Sequence, residues 1–261
     1  MLYFEMKKLM KTKRMIMAVA VFTIATLYAV IMMCKSNSIG SSDPFLEFQG
    51  ASGLYQIVIL FLIIVVTSSF FPVEMEFNLT QIIAVAKYGR GKLALAKVFV
   101  ALMFANSMFL IYVGALYLGF FSAFRMGLDM PIIEGEALEY MVDPGVRTFG
   151  DIIILQAIGM FLSANFTAAL SLLLSSKLKK AFSTAVIIII SYTVFAFLSN
   201  VPLIGMMSSL TPICLTGRAI TYKVLLSLGS ASITILHVGF IVYIILIMVL
   251  LCLIKSVYKT K

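Results

Sequence analysis

Tryptophan is absent from this 261-residue chain, histidine occurs once and cysteine three times. A metalloprotease site needs several His or acidic ligands converging on one ion, and a lone His237 cannot supply them. Nor does His237 have a Ser at a spacing that would pair nucleophile with base. The cysteines, Cys34, Cys214 and Cys252, lack metal-ligand spacing. Cys34 and Cys214 both fall near the outer ends of apolar runs, so a disulfide and two free thiols both fit; a bridge requires a short Cα separation. No G-x-x-x-x-G-K-[ST] phosphate loop is present, and Gly89-Arg90-Gly91-Lys92 lacks its length and following hydroxyl. The chain cannot hydrolyse ATP and is not read as an enzyme. Charge is also scarce, at 12% of residues, about half the share of a soluble domain.

Apolar residues fill that gap at 62%, where soluble domains hold about 45–50%. Water cannot solvate such a chain, so the bilayer is its solvent. A helix crossing about 30 Å of hydrocarbon needs about 20 mostly apolar residues. Six segments qualify: 15–33, 53–71, 98–121, 152–175, 182–198 and 233–254. Their continuous apolar character predicts helices rather than alternating barrel strands. The expected fold class is all-α, a polytopic membrane protein forming one transmembrane domain over residues 1–261. The N-terminal Lys7, Lys8, Lys11, Lys13 and Arg14 precede the first run as in a signal peptide. That run is longer than a signal core and lacks a small-x-small cleavage site, which reads as an uncleaved first span.

Basic residues set the orientation. Five lie in 7–14, four in 87–97, three in 177–180 and three in 255–261, fifteen on one side against Lys35, Arg125, Arg147, Arg218 and Lys223 on the other. The positive-inside rule then puts both termini in the cytoplasm, with a cell membrane as the expected location. The net charge of +9 is thereby a topology signal, not a nucleic-acid surface. Outside, 122–151 is acidic and reads as solvated. Residues 199–232 are too apolar for a free loop yet broken by Pro202, Gly205, Pro212 and Gly217. Two readings stand: a pair of half-helices re-entering the outer leaflet, buried in protein, or an amphipathic stretch on the surface.

Between spans two and three, Pro72 to Lys97 reads PVEMEFNLTQIIAVAKYGRGKLALAK. Met75, Leu79, Ile82, Ile83 and Ala86 share one helical face. Asn78 followed by Gln81 matches a capping box, and Gly89 suits a left-handed helix end. This predicts a short amphipathic helix on the cytoplasmic surface, then a Gly-Arg-Gly-Lys turn into the third span. Such a helix rests on lipid headgroups or docks a partner.

Glu76, a short helix, Tyr88-Gly89-Arg90 and then Lys97 at a span base resemble the corresponding loop of ABC type 2 exporter permeases. The basic N-terminus, six spans, the Ser-Ser-Lys-Leu-Lys-Lys turn at 175–180 and Leu210-Thr211-Pro212 before the last span extend the resemblance along the chain. One departure stands: Lys87-Tyr88 occupies the place where family members often carry a Pro. The resemblance implies a transmembrane permease subunit that pairs with a second permease, as homodimer or heterodimer. A separate cytoplasmic ABC ATPase would carry ATP and Mg, and this chain would bind no cofactor. Coupling would run through Leu79, Ile82 and Ile83 in a groove of the ATPase, with Glu76, Arg90 and Lys97 as polar anchors and Asn78, Tyr88 and Gly89 shaping the element. The cargo implied is amphipathic or hydrophobic, with antimicrobial peptides foremost.

Polar residues inside spans mark a pathway or act as helix–helix glue. At about 1.5 Å per residue, Asn106 and Asn165 lie at similar depth. They define a shared polar patch, with Tyr112 and Gln156 as candidates to join it. An ion-coupled transporter or channel, or a scaffold that transports nothing, remains the alternative class. The first usually carries ionisable residues at mid-membrane, and the six predicted spans hold no Asp or Glu.

Overall fold

The computed structural model describes residues 12–38, 44–72, 89–124, 148–198, 211–212, 225–228 and 231–259, with Tyr3, Glu5, Lys7 and Asp129. Among the described residues six helices follow one another: α1 Lys13–Ser38, α2 Pro44–Thr67, α3 Gly89–Phe124, α4 Phe149–Leu178, α5 Ala181–Leu198 and α6 Ile235–Lys259. Each overlies one apolar run. Three stretches, Gly91–Gly119, Gly150–Leu178 and His237–Ser256, are long and apolar enough to cross a membrane. Met15–Tyr28, Tyr55–Thr67 and Ala181–Phe197 are shorter apolar stretches. Their outward faces, such as Ile16, Ile24, Phe182, Phe197, Ile241 and Met248, remain exposed, as an apolar solvent allows.

Helix ends follow local chemistry. Pro44 opens α2, where its missing N–H is no loss. Thr148 and Asp151 cap α4 reciprocally: the Thr148 N–H donates to Asp151 Oδ2 at 2.9 Å, and the Asp151 N–H to Thr148 Oγ1 at 3.3 Å. Two orphan donors are thereby satisfied. α4 stops at Lys179, which is left-handed at φ 57° and donates its N–H to the Ser175 carbonyl. With Lys180 it makes the turn into α5, and exposed Lys177, Lys179 and Lys180 face the negative end of the α4 dipole.

α4 is the hub, packing against α2, α3, α5 and α6, while α1 leans on α2 and α3. The main core joins Phe22, Tyr55, Ile59, Ile63, Phe104, Met108, Tyr112, Ile152, Met160 and Ala164. A smaller cluster of Phe71, Ala101, Leu172 and Ile254 closes the end where α2 finishes. Close approach there relies on small residues: Ala164, Ala168 and Ser171 are fully buried, the composition that substitutes for hydrophobic driving force between helices in lipid.

Three boundaries differ from expectation. Gly89-Arg90-Gly91-Lys92 is not a turn but the opening of α3, so Gly89 does not terminate a helix. At 36 residues, α3 is about 54 Å long and outruns the hydrocarbon. Its first turn carries Arg90 and Lys92 in helical form. Residues 225–228 and 231–234 are extended instead of half-helical: β1 Leu225–Leu228 pairs antiparallel with β2 Ala231–Thr234, with Leu225 opposite Thr234 and Leu228 opposite Ala231. Two residues join them, Gly229-Ser230, a connection suited to hairpins. α6 consequently starts at Ile235 rather than 233. The fold is thus all-helical in class, as expected, with one small hairpin before α6.

Candidate functional site

α2 ends in a run of hydroxyls. Thr67 Oγ1 donates to the Ile63 carbonyl, Ser68 Oγ to Val65 and Ser69 Oγ to Val66. Each hydroxyl thus finds a backbone acceptor without leaving its own helix. The chain then tightens, with Phe70 N–H bonding the Thr67 carbonyl at 3.3 Å. Into this end reaches Lys97 of α3. Its Nζ donates to the Phe70 carbonyl at 2.5 Å and lies 4.7 Å from the centroid of the Phe71 ring. Lys97 is 1% exposed. An ammonium at a helix C-terminus, facing a ring, is where a buried cation is best tolerated.

That placement alters one expectation. Lys97 was expected to anchor a partner directly; instead it is buried and ties α2 to α3. The physical reason is the long helical start of α3, which sets Lys97 about 12 Å past Gly89 along the axis, level with the end of α2. Gly89 and Arg90 lie in the first turn of α3. Glu76, Asn78, Leu79, Ile82, Ile83 and Tyr88 lie outside the described residues, as does the expected amphipathic helix.

The two asparagines do meet. Asn165 Nδ2 donates to Asn106 Oδ1 at 2.9 Å and to the Phe161 carbonyl at 2.8 Å. One turn away, Phe109 and Phe161 pack edge to face at 5.5 Å. Tyr112 and Gln156 are each 1% exposed but do not join the pair. Tyr112 stacks on Tyr55 at 5.4 Å, whose hydroxyl meets Thr26 Oγ1 at 2.5 Å. The neighbouring Gln56 donates Nε2 to the Pro212 carbonyl at 2.8 Å. Thr211 and Pro212 are buried, so this point of the proline-broken segment sits against α2 with its carbonyl paired, as backbone away from water must be. Farther in, Thr167 of α4 and Tyr192 of α5 share a hydroxyl–hydroxyl bond of 2.8 Å.

His237 is exposed at the start of α6, 6.4 Å from Phe240. Cys252 is a free, exposed thiol, and Cys214 lies outside the described residues. Sequence reasoning missed the inward turn of Lys97, the Thr26–Tyr55 pair and the Gln56–Pro212 bond. Only the first had a signal: Lys97 follows Ala94 and precedes Ala101 at helical spacing, so it shares a face of small residues. No protein-family model matches the chain, and no curated protein matches it.

Proposed function

We propose that this chain is the six-span permease subunit of an ATP-driven exporter in a plasma membrane, with both ends cytoplasmic and a separate ATPase as its engine. The supporting observation is the root of the 73–88 loop. A loop that transmits force must leave the bundle from a stiff junction, because slack at its base would absorb the motion. Here both flanks are fixed to each other, α2 by its hydroxyl-tightened end and α3 by the Lys97 ammonium on Phe70. An amphipathic helix carried on such a root moves α2 and α3 together when a partner pulls on it. Binding coupled in this way is reciprocal, so cargo would bias nucleotide affinity in turn.

The cargo on this reading is an amphipathic or hydrophobic molecule, with a peptide favoured. A second permease subunit completes the pathway. The test is purification from native membranes in mild detergent. An ATPase should co-elute with the chain, and changing Ile82 and Ile83 together to Asp should abolish co-elution while leaving the chain's own size-exclusion profile unchanged. Recovery without any ATPase, or undiminished association of the double variant, refutes the reading.

A further inference from the structure

α4 and α5 meet in a turn whose four residues 177–180 include three lysines, Lys177, Lys179 and Lys180, all exposed. None of these ammonium groups has an ion-pair partner among the described residues. The backbone compensates little of the charge. The end of α4 contributes about −0.5 of an elementary charge, but α5 opens at Ala181 and brings about +0.5 to the same turn. α5 has no acidic residue in its first turn. Asp151, the one acid of α4, lies at the far end of that helix, about 40 Å away. Three positive charges thus share one turn, and neither helix answers them.

Local structure does not ask for lysine here. Lys179 is left-handed at φ 57°, a conformation that costs a residue with a β-carbon and suits glycine. Lys180 precedes α5, and its carbonyl accepts from the Thr184 N–H at 3.2 Å and from Thr184 Oγ1 at 2.9 Å. Serine, threonine, asparagine and aspartate are the residues that favour such a position. Two neighbouring lysines therefore stand where the fold would gain from other residues, and such concessions belong to function.

The turn also has a definite depth. The apolar stretch Gly150–Leu178 ends immediately before Lys179, and Ala181–Phe197 starts immediately after Lys180. Leu178 and Phe182 are exposed on either side, Phe182 at 81%, the highest among the large apolar side chains described. α5 packs chiefly on α4 and α2, and Ile190, Val194 and Phe197 continue its open apolar side away from the lysines. Cations at the edge of an open apolar face match a molecule with an anionic head and a hydrocarbon tail. A free anion or an acidic protein would answer the lysines and make no use of Phe182.

We propose that the α4–α5 turn binds the headgroup of an anionic phospholipid, with an acyl chain along the exposed side of α5. Because α4 packs against four other helices, a lipid held at this turn braces the hub of the bundle. The inference goes beyond the exporter reading and does not depend on what the chain carries.

The test titrates the full chain, purified in neutral detergent at physiological ionic strength, with phosphatidylglycerol or phosphatidylcholine, and native mass spectrometry reports bound lipid. Phosphatidylglycerol should bind more tightly. Changing Lys179 and Lys180 together to Gln should weaken it about thirtyfold, the worth of two lysines near an anionic headgroup, and leave phosphatidylcholine unchanged. Removing the same charge at Lys92 and Lys255, exposed on α3 and α6, should leave both affinities unchanged, because separated charges are screened. Lys179→Gly suits the left-handed helix end, so the lipid-free protein should keep its melting temperature while phosphatidylglycerol binds about fivefold more weakly. Phe182→Ala should weaken binding too, which a headgroup contact alone would not. Equal affinity for the two lipids, equal loss in the Lys92 and Lys255 variant, or undiminished binding without Lys179 and Lys180 overturns the site. Displacement of the lipid by inorganic phosphate at matched ionic strength would reveal a free-anion site, and displacement by polyglutamate an acidic protein partner; either refutes the proposal.

Discussion

The Asn106–Asn165 pair allows a sharply asymmetric prediction. Asn165 spends its amide on two acceptors, Asn106 Oδ1 and the Phe161 carbonyl, both under 3 Å. Changing Asn165→Asp replaces that donor with a carboxylate oxygen facing two acceptors. The loss comprises two bonds at about 0.6 kcal/mol each in a membrane protein and burial of a charge at roughly 2.5–3.5 kcal/mol, so about 4 kcal/mol in all. Asn165→Leu loses the same two bonds without the charge, and should cost about 1–2 kcal/mol. Asn106→Leu leaves the Asn165 amide its bond to Phe161 and should cost about 0.6 kcal/mol. The double leucine variant should then cost less than the two single changes together, by a coupling of about 0.6 and at most about 1.7 kcal/mol. Reversible unfolding in bicelles, read for all four variants, measures each quantity. Lowering the pH should rescue Asn165→Asp in part, because a protonated carboxyl donates again. A coupling indistinguishable from zero, or an aspartate variant no worse than the leucine one, would refute the geometry.

Two further outcomes follow from buried and capped positions. In intact membranes, an amine-reactive acetylating reagent should modify exposed Lys92, Lys177, Lys179 and Lys180 while sparing Lys97 until the protein is denatured; mass spectrometry that finds Lys97 acetylated at the rate of Lys92 removes the α2–α3 tie. Thr148→Ala should destabilise the chain by about 1 kcal/mol through loss of the α4 capping box, and unfolding unchanged by the substitution would show that the cap contributes nothing.

Helix positions were legible because each apolar run is uninterrupted, and a bilayer enforces helix on such runs. Boundaries were less so. Residues at membrane–water interfaces can extend a helix at little cost, and Gly89-Arg90-Gly91-Lys92 does so as the opening of α3. The Thr148–Asp151 cap was readable as Thr-x-x-Asp before an apolar run, yet Asp151 was grouped with the acidic outer connection. The hairpin at 225–234 also carried its signal, a Gly-Ser pair between short runs of Leu, Ser and Thr. The prolines upstream drew attention to half-helices instead.

Asn106 and Asn165 meet because rise per residue is fixed and the two helices are antiparallel neighbours. Depth alone does not divide the four polar candidates by side. Asn165 and Gln156 are nine residues apart, which is two and a half turns, so they project from opposite faces of α4. One face supplies a bond between helices; the other carries Gln156 at helical spacing from Ile152 and Met160 of the buried cluster. The wheel of α4 thus assigns Asn165 to a bond between helices and sets Gln156 half a circumference away, with its Oε1 unpaired. Lys97 shows why the remainder was hidden. A lysine at a span base reads as a cation reaching for water, and only the position of the α2 end relative to α3 turns it inward. That relation belongs to the packed bundle, and no local pattern in either segment carries it.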